Sequence, residues 1–189
     1  MDAFSYLSVL LSIVLGLGIT QLLQGFGRLM SARSRVRPYW PSLTWAVALL
    51  FAHVQNWWSM FALRGRTQWS FADFALVLSN PVLLYLLAAL ALPERLDGEG
   101  GEVDLEQHYY SHARWFFALL MLLLVFSVLK AWDIDGELKL DADRLVHAIW
   151  FVASAIAMAT RRRWFHAANA VFGAALLAAY IGALFAQLR

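Results

Sequence analysis

Six apolar runs, residues 4–30, 40–63, 70–92, 114–132, 145–160 and 165–187, take up most of this 189-residue chain. A helix that crosses a bilayer needs about 17–25 mostly apolar residues. Five of the runs meet that length, and 145–160 is short for it. Hydrocarbon offers no water to backbone amides, so a chain crossing it in such runs must satisfy them within helices. The expected fold class is therefore all-α: a polytopic integral membrane protein, a bundle of six transmembrane helices forming a single transmembrane domain over 1–189. Composition agrees. The chain is 61% hydrophobic and 15% charged, against about 45–50% and about 25% for soluble domains.

Charge placement sets the expected topology. Loops rich in Lys and Arg stay on the cytoplasmic side. Placing the N-terminus outside puts nine of the 15 Lys and Arg residues inside, among them Arg28, Arg33, Arg35, Arg37, Arg161, Arg162 and Arg163. The two dense clusters are separated by four runs, an even number, and so return to the same side. Removing any one run would split them across the membrane. The expected location is a bacterial inner membrane, with the Arg-rich loops 31–39 and 161–164 cytoplasmic and both termini outside. Met1-Asp2-Ala3 lacks the basic start of a cleavable signal, so the first run is expected to remain as a helix. Net charge of +2 gives no reason to expect a nucleic-acid partner. The absence of cysteine excludes disulfides, thiolate metal sites and a Cys nucleophile.

Seven of the nine tryptophans (Trp40, Trp57, Trp58, Trp69, Trp115, Trp132 and Trp164) fall near run ends, as interfacial anchors do. Trp45 and Trp150 lie further in. The linker at 94–106 (ERLDGEGGEVDLE) is acidic and reads as a solvated loop, and 103–112 is expected to form an amphipathic lead-in to the fourth helix.

Small residues recur every fourth position in the first run (Ser8, Ser12, Gly16, Thr20, Gln24) and in the last (Ala170, Ala174, Ala178, Gly182, Ala186). Such ridges let helices approach closely, which places these two helices inside the bundle or at a homo-oligomer interface. The leucine-rich fourth run, with bulk at Leu119, Leu120, Leu122, Leu123 and Leu124, is expected to meet lipid.

A polar cluster is expected near mid-membrane. Reflection through the turn between the second and third runs puts His53 level with Asn80. Reflection through the first loop puts His53 level with Leu17, between Gly16 and Gly18. Pro81 removes one helical hydrogen bond and should leave the Val77 carbonyl open, within reach of Asn56. Ionisable groups inside a membrane are costly and point to function. The expected polar path is thus Gly16, Gly18, Thr20, Gln21, Gln24, His53, Asn56, Asn80 and Pro81, lined by the first three helices and moving an ion or small solute. Two other functions fit the sequence: a non-catalytic subunit or sensor that binds a partner protein or anionic lipid, and a metal-dependent membrane enzyme. The last rests on Asp104, His108 and His112, whose spacing of four would face a divalent metal if helical. His53 has no histidine partner at its depth, so a membrane haem is not expected. The chain carries no HExxH, Ser/His/Asp or phosphate-loop pattern. The run YYSHARWFF at 109–117 stands out without suggesting an activity.

Overall fold

Apolar runs bounded by Pro, Ser, Asp and Arg fold into six helices in the computed structural model, which describes residues 3–66, 68–94, 102–135 and 142–184. They are α1 (Ala3–Ser31), α2 (Trp40–Ser59, extended by a 3-10 turn over Met60–Gly65), α3 (Phe71–Ala91), α4 (Leu105–Asp135), α5 (Ala142–Ala159) and α6 (Arg163–Leu184). Five are long and apolar enough to cross a membrane, and the described part of α5, Arg144–Ala159, is apolar but shorter. Most of the acidic linker (95–101) and Ala186 of the last ridge lie outside the described residues.

Local chemistry explains the helix ends. Pro41 opens the first turn of α2, where its missing N–H would have no partner anyway. Ser70 and Asp73 form a capping box at the start of α3, each side chain accepting from the other's backbone N–H at 3.1 and 2.8 Å. Asp73 is thus the N3 member of that capping box. Asp104 Oδ1 accepts from the amides of Glu106 and Gln107 at 2.8 and 3.0 Å. That cap starts α4 at Leu105, nine residues ahead of the apolar run, so the amphipathic lead-in and the apolar run form one helix. Ahead of it, Val103 and Asp104 pair in parallel with Val36 and Arg37, forming a two-residue bridge where a loop was expected.

The two Arg clusters share one end of the bundle, as the even count of crossings requires. Arg37 Nε pairs with Glu102 at 3.1 Å and Arg163 Nε with Glu106 at 2.6 Å, only four residues apart. This end is the Arg face. At the opposite face Arg66 bridges Asp73 and Asp133, tying the α2–α3 turn to the end of α4.

Packing closes α2, α3, α4, α5 and α6 into a ring, each touching the next and α6 returning to α2. Helix α1 lies outside that ring against α3 and α2. Its buried seam is Leu11, Leu15, Gly18, Leu22, Gly25, Leu29 and Ala32, an alternation of four and three that keeps to one side. The four-spaced ridge does not. Four residues advance about 40° beyond a full turn, so the row winds from half-buried Ser8 and Ser12 to exposed Gly16, Thr20 and Gln24. The row on α6 winds likewise, from buried Ala170 to exposed Ala178 and Gly182. There, with Val47 and Phe51 of α2, it lines an apolar outer groove of about 690 Å³.

The outer surface carries Ile13, Phe51, Val54, Val125, Val152 and Val171 well exposed, an apolar belt that fits lipid and is costly in water. Trp40, Trp57, Trp115, Trp132 and Trp164 are also exposed, whereas Trp45 is buried and Trp150 half-buried. Helix α4 departs from the lipid-facing expectation: Leu122 is exposed, but Leu120 and Leu124 are buried within the ring.

Candidate functional site

The ring is filled differently at its two ends. Toward the Arg face its centre is aromatic. Trp45 meets Phe116 and Phe117 edge-on at 5.4 and 5.9 Å between centroids. His166, fully buried, packs against Tyr109, Tyr110 and Phe117. Its Nε2 lies 2.9 Å from the Thr160 carbonyl, which can only accept, so Nε2 carries the proton. Nδ1 is then the acceptor for the Tyr109 hydroxyl at 2.9 Å. Tyr39 and Tyr110 share a hydroxyl contact of 3.2 Å, and burial together with that contact pushes the Tyr39 phenol well above its ordinary pKa. The YYSHARWFF run is therefore the packing core of this end. Tyr109 holds His166, Tyr110 holds Tyr39, and Phe116 and Phe117 hold Trp45.

Toward the opposite face the ring is hollow. A cavity of about 220 Å³, room for about seven waters at about 30 Å³ each, is lined by all five ring helices. Helix α2 contributes Gln55, Asn56 and Ser59, α3 contributes Asn80, and α4 contributes Ser127 and Lys130. Helix α5 adds Arg144, His147 and Trp150, and α6 adds Tyr180. Leu84, Leu120 and Trp150 form the deep end. Among the described residues of this lining, the charged side chains are Lys130 and Arg144, both cationic. Lys130 has no ion pair among the described residues, and Asp133, one turn beyond it, is held by Arg66. Asn80 is 3% exposed. Its Nδ2 donates to Ser127 Oγ at 3.4 Å, and its Oδ1 has no partner.

His53 and Asn80 do not meet. His53 Nδ1 donates to the Leu49 carbonyl at 2.7 Å, leaving Nε2 as a buried acceptor without a partner. The imidazole fills the notch at Gly18 on α1, where any Cβ would overlap the ring. Asn80 instead turns toward α4. Reflection through a turn fixes the depth of a residue but not its bearing around the helix axis. The same limit separates His53 from Asn56. Three residues span about 300°, and Asn56 points into the cavity while His53 packs on Gly18. Pro81 is buried in a helix that continues through it, and Asn56 makes no hydrogen bond to the Val77 carbonyl among the described residues.

Of the expected path on α1, only Gly18 meets His53. Gly16, Thr20 and Gln24 are exposed and Gln21 is half-buried. No atom lies near a Cβ built at Gly16. Thr20 bonds its hydroxyl back to the Gly16 carbonyl at 2.8 Å. Asn56 and Asn80 are the two expected residues that line the cavity, and its cationic members were not singled out from the sequence. Lys130 had a signal: it is the one Lys or Arg between Trp115 and Trp132.

His108 and His112 bring their rings together, with centroids 4.4 Å apart, but Asp104 does not join them. The Asp104 carboxylate caps α4. His108 Nε2 lies 3.3 Å from the Leu90 carbonyl, and His112 Nδ1 lies 3.0 Å from the His108 carbonyl. Among the described residues no three metal-binding side chains gather.

Comparison with protein-family models, curated proteins and solved structures finds no match to this chain.

Proposed function

We propose that this chain is an integral membrane transport protein, channel or carrier, that takes up a small anionic solute in the cavity enclosed by α2 to α6. The supporting observation is the lining: five helices contribute polar groups around Lys130, which has no ion pair among the described residues. Charged side chains inside a membrane are costly and are retained where they serve a pathway. The amide and hydroxyl groups of Asn56, Asn80 and Ser127 supply orienting hydrogen bonds deeper in the cavity. The path thus moves from the first three helices, where the sequence suggested it, into the five-helix ring. The aromatic end closes the ring toward the Arg face, so the arrangement corresponds to access from one side. The Lys and Arg bias supports a cytoplasmic Arg face in a bacterial inner membrane.

The test is flux from proteoliposomes loaded with chloride, nitrate or acetate, with potassium and glycerol as comparators. Anion flux is expected, reduced about 10- to 100-fold in Lys130→Met, in keeping with loss of one charge-assisted hydrogen bond. Absence of anion flux, or full flux in the variant, contradicts the proposal.

A further inference from the structure

One turn beyond the deep end of the cavity lies a second set of polar groups that the solute site does not use. Helices α5 and α6 form an antiparallel pair turning about residues 161 and 162. That turn places Trp150 level with Gly173 and Ser154 level with Asn169. The register is borne out by contact, since a Cβ at Gly173 would lie 3.5 Å from Trp150 Cζ2. Ser154 is fully buried and Asn169 is 4% exposed. Neither side chain has a hydrogen-bond partner among the described residues: Ser154 Oγ, Asn169 Nδ2 and Asn169 Oδ1 are all buried without one, as is Trp150 Nε1.

These side chains differ from other polar groups of the helices. Ser8, Thr20, Ser31, Thr44, Ser59 and Ser79 each donate to a carbonyl of their own helix three or four residues back. Ser154 could do the same to Trp150 and does not. A buried amide with both atoms unpartnered is rarer still, because each unpaired group carries its full desolvation cost. A buried water has about two to four polar partners and resolves such orphans. Here a hydroxyl, an amide and an indole N–H from two helices lie within one turn of each other in depth, all on buried faces, below a polar cavity that Trp150 itself lines.

We infer that Ser154, Asn169 and Trp150 Nε1 form a binding site for ordered water, which carries the aqueous path past the cavity floor to the level just before His166. The inference rests on the transport reading for its purpose but not for its geometry. The layer supplies both donors and acceptors, so it hydrates a solute or passes a proton without adding charge. His166, one turn further along α6 with both ring nitrogens engaged, then marks where the water stops.

The natural absence of cysteine makes the test clean. Ser154→Cys, Asn169→Cys, Ser127→Cys in the cavity wall and Ala46→Cys in the dry core are reconstituted singly. Each is treated with methyl methanethiosulfonate, which reacts with the thiolate and therefore with hydrated cysteine. Ser154→Cys and Asn169→Cys are expected to react within about tenfold of the Ser127→Cys rate, and Ala46→Cys at least about 100-fold more slowly. If both layer variants are as slow as Ala46→Cys while Ser127→Cys reacts, the inference fails and the cavity stands. If Ser127→Cys is also unreactive, the hydrated cavity fails and takes the layer with it.

Discussion

In the half of the ring nearest the Arg face, His166 finds a partner for each ring nitrogen, and Trp45, Phe116 and Phe117 fill the space between. In the other half, Asn80 leaves an oxygen unpartnered, Lys130 has no ion pair among the described residues, and the centre is open. The same five helices build both. The difference teaches where binding energy is stored. Polar groups that complete one another hold the helices together, and on the proposed reading those left incomplete around the cavity are the ones a solute would meet.

Substitutions should separate the two halves by magnitude. The largest loss is expected for Phe117→Ala, which empties a fully buried ring position and should cost about 3–5 kcal/mol in denaturant unfolding from micelles. A comparable loss from Leu123→Ala, in the wall of the cavity, would erase the distinction. Two changes of middle size probe the dry contacts. Gly18→Ala drives a methyl into His53 and should cost about 1–3 kcal/mol, whereas Gly16→Ala meets open space and should stabilise α1 by up to about 1 kcal/mol. Equal effects at the two glycines would mean that α1 is rotated from the arrangement described. Tyr109→Phe strips the donor from His166 Nδ1 and should cost about 1–3 kcal/mol, with the unfolding midpoint as the measure. The smallest effect belongs to the hollow half. Lys130→Met is expected to change stability by less than about 0.5 kcal/mol while suppressing anion flux, a pattern that a structural lysine would reverse.

Much of the fold was legible from the residues. The six runs became six helices, and the Arg clusters fell on one face. Trp45 and Trp150, the two tryptophans set back from run ends, are the ones that pack within the ring. Depth along a helix follows from counting residues through a turn, and Asn80 does stand well inside the bundle. Bearing around the axis does not follow, because a small error in the assumed row accumulates at every turn. The four-spaced rows of α1 and α6 therefore looked like packing seams and wound out to the surface, while the true seam of α1 alternates four and three. The cavity was harder still to read, since it joins single residues from five helices whose neighbours are settled only by tertiary packing. Lys130 carried a usable signal, as the one cation between Trp115 and Trp132, and Asn56 and Asn80 were found for reasons of depth.

Water-to-protein magnetisation transfer in solid-state NMR of the lipid-reconstituted protein tests the contrast between the halves most directly. Strong transfer is expected at the side-chain amides of Asn56 and Asn80, and none at the imidazoles of His53 and His166. Transfer to His53 with Asn80 dry would contradict the account.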